Sequence, residues 1–288
     1  MAIDLATQFS PHVDEEFSTE SKKSLVTNSD YSWNGAHSIR VYTVSTSELH
    51  DYDRNGSGEN WNRFGPVAGL DATVTEYTLA QDKSFVFAVD KMDVDETKQA
   101  LEAAAALARQ VRQRVIPSVD TYVFGKMCAG AGVKPDALAL TDKNIYEAIL
   151  AGTESMDNNE VPESGRVLIV SPSIYTLLKR SRDVIWETDI GNDLRLKGVL
   201  AIVDGMTIMK APSNRLPSDF GFLIAHPVAT CAPTKLEDFR VHRDPPGISG
   251  SLIEGRIVFD AFVLKNKKNG LYYQTLPTTT PPSGGGNG

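Results

Sequence analysis

The spacing of apolar and polar positions changes its rule several times along the chain. In "HSIRVYTVS" Ile39, Val41 and, less strictly, Thr43 alternate with polar neighbours, and extended patterning returns in "ATVTEYTLA" and "SFVFAV". Residues 51–69 between them are polar and glycine-bearing, which predicts a long hairpin whose distal part has little core of its own. After an acidic turn the pattern becomes helical from Asp95: Leu101, Ala104, Ala108, Val111 and Val115 form an apolar stripe, with Arg109, Arg112, Gln113 and Arg114 largely outside it. Pro117 should kink this helix or start a second one, because it has no amide to donate and restricts the residue before it. "SVDTYVFGKM" then continues as helix until the glycines of "CAGAG".

The following stretch has α/β character. Asp142 is a candidate cap for "KNIYEAIL", "RVLIV" reads as a strand, and "PSIYTLLKRS" opens with proline where a helix tolerates it. "VLAIVDGMTIMKA" places apolar runs around Asp204-Gly205, a hairpin signal. The apolar segments of "SLIEGRIVFDAFVLKNKKNGLYY" need a sheet partner, and the long helix with the strand before it is the expected surface, which makes the first domain discontinuous. "LPTTTPPSGGGNG" has almost nothing to bury and is expected to be flexible. Residues 1–36 show no sustained period and read as an arm against something else.

Composition narrows the classes. With 288 residues and 41% hydrophobic content the chain can bury one substantial core or two modest ones. A formal charge of -8 argues against an extensive nucleic-acid-binding surface. Cys128 and Cys231 lie far apart, match no metal-ligand spacing, and are expected to be reduced thiols. No run reaches the roughly 18 apolar residues of a membrane span, and the first residues lack the pattern of a secretion signal.

The order of these segments resembles the major capsid proteins of tailed bacteriophages with the HK97-like fold. The resemblance covers roughly residues 37–273 and rests on "LHDYDRNG", "YTLAQDKSFVFAVDKMDVDET", "VIPSVDTYVF", "RVLIVSPSIYTLLKR", "VDGMTIMKAPSNRLP" and "AHPVA" followed by "DPPGISGSLIEGR". It implies an α+β fold: N-terminal arm (1–36), extended hairpin loop with its base strands (37–90), spine helix of a peripheral domain (91–131), axial domain (132–233), peripheral return strands (234–274) and flexible tail (275–288). Residues 39–48 and 73–89 would be the arms of the loop, which in this family reaches over a neighbouring subunit. The arm would pack on a neighbour, and the prolines of "DPPGISG" would stiffen a turn between the domains.

The function implied is that of a non-enzymatic head protein. Such a protein assembles as hexamers and pentamers into an icosahedral shell around double-stranded DNA and expands from a procapsid. Its partners would be copies of itself, a portal protein, a separately encoded scaffolding protein and, in some heads, a decoration protein. It would need no cofactor, metal or membrane, would not read DNA sequence, and would reside in the virion after assembly in the host bacterial cytoplasm. An encapsulin-type nanocompartment shell shares this fold and is the alternative. A soluble α/β enzyme is a more distant one, and would show a convergent polar pocket.

Candidate residues follow from the same placement. Asp51, Tyr52, Asp53, Arg54, Asn55, Gly56 and Trp61 would form the intersubunit loop. Asp51, Asp53, Asn55 and Gly56 match the front of a calcium loop, but the eighth position is Gly58 and the twelfth Asn62, so a polar loop tip is the better account. Asp93 or Asp95 would cap the spine, whose packing residues are Leu101, Ala108, Val111 and Val115. Arg109, Arg112, Arg114, Lys265, Lys267 and Lys268 are candidates for facing DNA or for pairing between subunits. The histidines form no ligand cluster, and His226 near Cys231 lacks a nucleophile motif. Some family members crosslink a loop lysine to an asparagine. Here Lys83 and Lys91 lie away from the loop tip, so no crosslink is expected, while Asn266 and Asn269 leave an acceptor asparagine open.

Overall fold

The computed structural model describes residues 21, 23–28, 30–31, 38–56, 62–67, 69–92, 103–181 and 202–277. Trp61, Asp93, Asp95 and Leu101 lie outside them, as does the tail beyond residue 277. The chain divides into two units, one of residues 1–32 and 80–288 and one of residues 33–79.

The smaller unit is a ribbon. β1 (Ser38–Val44) pairs antiparallel with β2 (Ala72–Thr78), from Ser38 opposite Thr78 to Val44 opposite Ala72. Arg40 and Glu76, directly opposed, approach to 3.6 Å. Among its described residues only Ile39 is buried.

The larger unit resumes after the ribbon with β3 (Gln81–Asp90), which pairs not with β1 but with β10 (Gly250–Phe259). The single arm expected over residues 73–89 is therefore broken: its first half belongs to the ribbon and its second to a sheet ordered β3-β10-β9, where β9 is Thr234–Arg243. "DPPGISG" is the β9–β10 hairpin turn, not a link between domains. Asp244 (φ 45°) donates its amide to Gly250 O at 2.7 Å, and Gly247 (φ 85°) supplies the second left-handed residue. At the middle of this sheet Gly255 faces Phe85 on one neighbour and Phe239 on the other. The rings stack with centroids 6.0 Å apart, over a position where a Cβ would meet Phe85 Cε1 at 2.3 Å. Aromatic cover of this kind shields a glycine that supplies no side chain to the sheet.

Helix α1 (Ala103–Gln110) passes through a π-helical segment, Val111–Val115, into α2 (Ile116–Gly130). The Ile116 amide donates to Val111 O five residues back, and Pro117 occupies the first turn of α2, where its missing amide costs little. The proline is thus absorbed by a wider turn. That turn also shifts the helical phase: Ala104 and Ala108 are exposed, while Ala106, Arg109, Gln110 and Gln113 line a cleft with Phe85, Phe87 and Val89. An alanine-rich stretch carries no apolar contrast from which its facing side could be read.

A five-stranded sheet, β12-β7-β4-β6-β5, holds the main core. Its strands are β4 (Val167–Val170), β5 (Ile202–Val203), β6 (Met206–Lys210), β7 (Phe220–Ala225) and β12 (Leu271–Thr275). β4 and β6 are parallel and the other pairs antiparallel, while β8 (Thr230–Cys231) and β11 (Phe262–Val263) pair with each other in a separate two-stranded sheet. β12 was expected among the peripheral return strands, but it pairs with β7 of this sheet. Val167 and Ile169 face a core shared with Val123, Phe124 and Met127 of α2, whereas Leu168 and Val170 face Ile149 of α3 (Ile145–Asn158) and Ile174 of α4 (Pro172–Arg180). Cover on both faces explains why β7 reads as an unbroken apolar run. Gly152 lets α3 approach closely, since a Cβ there would lie 2.7 Å from Ile224 Cδ1.

Local signals hold at several junctions. Ser171 caps α4 by accepting the Ile174 amide, with Pro172 next in line. Asp204 (φ 49°) and Gly205 (φ 71°) form the β5–β6 turn. Asp142 does not cap α3: the helix starts at Ile145 after Asn144, whose Oδ1 instead accepts the Thr141 amide at 2.7 Å.

Candidate functional site

The ribbon unit exposes more apolar surface than its fold requires. Tyr42, Val44, Phe64, Leu70 and Val74 are exposed, with Leu49 at 100% and Val67 at 90%. At the loop end Tyr52 and Phe64 meet edge to face at 5.2 Å. The Asp53 carboxylate accepts the Asn55 amide at 2.9 Å and Asn62 Oδ1 accepts the Phe64 amide at 3.1 Å, closing two short side-chain turns. Asp53 is thereby committed to shaping the loop, alongside the exposed Asp51 and Arg54 and the half-buried Gly56. An isolated two-stranded hairpin is marginal in water, so this arrangement suits a surface completed by another molecule.

Where β3 ends, Asp90 accepts the Met92 amide at 2.8 Å. This is the contact an N-cap makes, and the expected caps Asp93 and Asp95 lie outside the described residues. The outer face of the β3-β10-β9 sheet carries opposed charges: Arg256 donates from Nε to Asp82 at 2.9 Å, Arg240 pairs with Asp238 at 2.7 Å, and His242 lies 3.3 Å from Glu254. The Arg256 guanidinium holds the Asp82 carboxyl below the usual carboxylate range.

The predicted basic residues do not form one cluster. Arg109 faces the cleft beside Phe87, and Arg114 lines a second cleft with Val119 and Phe259. Arg112 is exposed on the π segment between them. Lys265, Lys267 and Lys268 are exposed on a 3-10 turn, Lys265–Gly270. Asn269 of that turn donates to Asn159 Oδ1 at 2.8 Å.

His226 follows β7 and heads the 3-10 turn Pro227–Ala229. Its Nδ1 accepts the Val228 amide at 3.3 Å, so Nε2 carries the proton toward Ser164 O at 3.2 Å. Burial lowers its pKa, which favours this neutral form. Cys128 and Cys231 are free and buried, and burial pushes the Cys128 thiol up to about 12. Such thiols are poor nucleophiles at neutral pH. Among the described residues no group of three His, Cys, Asp or Glu could hold a metal ion.

The described part of the N-terminal arm packs on its own chain. A 3-10 turn, Lys23–Leu25, carries Val26 into the core shared with Val119, Val123 and Phe124. Asn28 forms a parallel bridge with Cys231, its amide donating to Thr230 O at 2.9 Å. Ser21 Oγ donates to Asp120 Oδ1 at 2.6 Å, and Arg215 Nη1 donates to Asp120 Oδ2 at 2.8 Å. Asp120 is 1% and Arg215 4% exposed. No sequence pattern marked this ion pair, because its members are separated by most of the sheet.

No protein-family model and no curated protein matches the sequence. Solved structures do match the fold. A chain of Mycobacterium phage Che8 superposes with TM-score 0.72 at 17% identity, covering 94% of this chain and 96% of that one. The capsid structure of cyanophage P-SCSP1u gives 0.71 at 16% identity over 95% and 93%. The mature capsid of bacteriophage PhiM1 gives 0.71 at 14% identity over 96% and 93%. Across nearly the full length of both partners in each comparison, the chain has the α+β, HK97-like fold of phage capsid proteins.

Proposed function

We propose that this protein is the major capsid protein of a tailed bacteriophage, assembling as hexamers and pentamers into an icosahedral shell around double-stranded DNA. The observation that carries the reading is end-to-end likeness to phage capsid chains in a molecule whose ribbon unit leaves its apolar side chains uncovered. Ordering such a ribbon in a lone subunit costs conformational entropy with little burial in return. In a shell a neighbour supplies the burial, and many modest contacts act together.

On this reading residues 37–79 are the intersubunit loop, with Tyr52 and Phe64 clamping its tip. Asp90 marks the entry to the spine, Val111 and Val115 lie in its π segment, and the five-stranded sheet belongs to the axial domain. The exposed lysines of residues 265–268 pair with acidic neighbours or face enclosed DNA without reading its sequence. A portal, a scaffolding protein and, in some heads, a decoration protein complete the particle, which is assembled in the bacterial cytoplasm and expands from a procapsid. The protein acts as a structural subunit, not an enzyme.

The test is electron microscopy of the highest-mass fraction after expression with and without a scaffolding partner. Closed polyhedral shells or capsomer rings are expected. A uniform monomer or dimer under both conditions would overturn the reading, and shells that form only around a co-purifying enzyme would favour a nanocompartment.

A further inference from the structure

The chain holds Asn-Gly pairs beginning at Asn34, Asn55, Asn269 and Asn287, of which those at Asn55 and Asn269 fall among the described residues. The dipeptide matters chemically because glycine has no Cβ to keep its amide nitrogen from the preceding side chain, and its backbone turns freely into the geometry of ring closure. Whether a pair reacts then depends on how its backbone and carboxamide are held.

The two described pairs are held very differently. Asn55 is exposed in a bend of the ribbon's polar loop, outside any strand or helix. Among the described residues its carboxamide makes no hydrogen bond and the Gly56 amide meets no acceptor. The Asn55 amide donates to the Asp53 carboxylate, which fixes the bend from its N-terminal side and leaves the reacting groups uncommitted. Asn269 instead lies in the 3-10 turn Lys265–Gly270, where its Nδ2 donates to Asn159 Oδ1 at 2.8 Å and its Oδ1 packs on Gly132, at 2.5 Å from where a Cβ would sit. Gly270 is buried, and its carbonyl accepts the His226 amide at 2.8 Å. Ring closure at Asn269 has to break these contacts first.

We propose that Asn55 is a site of spontaneous deamidation, converting to aspartate and isoaspartate while the fold protects Asn269. The Gly56 amide nitrogen gives its proton to solvent base and attacks Asn55 Cγ. The new N–C bond forms as the Cγ–Nδ2 bond breaks, and Nδ2 leaves as ammonia with a proton from water. Water then opens the cyclic imide at either carbonyl. Opening at Cγ yields aspartate, and opening at the main-chain carbonyl carries the backbone through Cγ as isoaspartate. Nothing is oxidised or reduced, and water is the co-reactant. The product sets a further carboxylate beside Asp51 and Asp53, and its isoaspartate form lengthens the backbone between Tyr52 and Phe64, whose rings meet at the loop end. The reaction is a property of the single chain and does not rest on shell formation.

The full chain would be aged in warm, mildly alkaline buffer and sampled by mass spectrometry of chymotryptic peptides covering residues 53–61 and 265–271, with fragmentation that separates isoaspartate from aspartate. Asn55 should deamidate about tenfold or more faster than Asn269 in the folded chain, and the two rates should converge in urea, where the 3-10 turn is lost. Gly56→Ala should slow the reaction at Asn55 by about tenfold and leave Asn269 unchanged. Equal rates in the folded chain would overturn the proposal, as would G56A ageing like the parent. Aspartate formed without isoaspartate would remove the imide route. A rate difference that persists in urea would show that neighbouring sequence, not the fold, protects Asn269.

Discussion

β7 and β2 are strands of similar length, 6 and 7 residues, in opposite circumstances. Every residue of β7, Phe220–Ala225, is buried between a strand on either side and helices above and below, while no residue of β2, Ala72–Thr78, is buried. β7 is defined by the chain that surrounds it. β2 has one partner strand and leaves Val74 half exposed, so its own chain supplies the ribbon's register but not its cover. A chain built this way is covered in one part and uncovered in the other.

The sharpest way to probe the complete part is at its buried charges. Asp120→Ala leaves Arg215 buried without its carboxylate and should lower unfolding stability by about 3–5 kcal/mol in urea melts. A loss below about 1 kcal/mol would mean that the site hydrates readily and that this core is looser than the packing implies. Gly255→Val should cost about 1–3 kcal/mol, because its Cβ would enter the Phe85 ring, and part of that cost should return in the double variant with Phe85→Ala. If thermal melts show no recovery, the strain lies elsewhere in the sheet. Gly205→Ala forces a side chain into a left-handed turn (φ 71°) and should cost about 1–2 kcal/mol, a local defect at the sheet edge.

The incomplete part should respond in the opposite sense. Leu49→Ser with Val67→Ser should leave subunit unfolding within about 0.5 kcal/mol of the parent while sharply reducing the yield of assembled particles by sedimentation. Equal damage to both would show that the ribbon's apolar side chains serve the subunit itself. The smallest effect belongs to the exposed Asp82–Arg256 pair. Its carboxyl pKa is depressed in the folded state, so its contribution is present above the unfolded value near about 4 and fades as pH falls through the lower folded value. The Asp82 carboxyl resonance should titrate below that value and return toward it in Arg256→Gln. Identical midpoints in the two proteins would remove the pair from the sheet's electrostatics.

How far the structure was legible in the sequence depended on whether the deciding partner was near in the chain. Ser171-Pro172 and Asp204-Gly205 carry their own backbone preferences and mark their junctions unaided. The α1–α2 helix was visible, but its facing side was not, because alanine lacks contrast and the π segment moved the phase. Asp142 looked like a cap, but the helix starts after Asn144, whose side chain closes the preceding loop on the Thr141 amide and caps nothing in the helix. Of the proposed loop residues, the role of Asp53 became clear only from its contact with the Asn55 amide.

By itself the sequence determined the order of elements, the buried strands, the polar loop and the turns, because these rest on side-chain periodicity and on the conformational limits of glycine and proline. Only the tertiary structure decided that β3 leaves the ribbon to join β10, that β12 returns to β7, and that Ser21 and Arg215 converge on Asp120. Strand partnership and buried pairing depend on which surfaces meet after the chain has turned back on itself. Local spacing carries no record of that meeting.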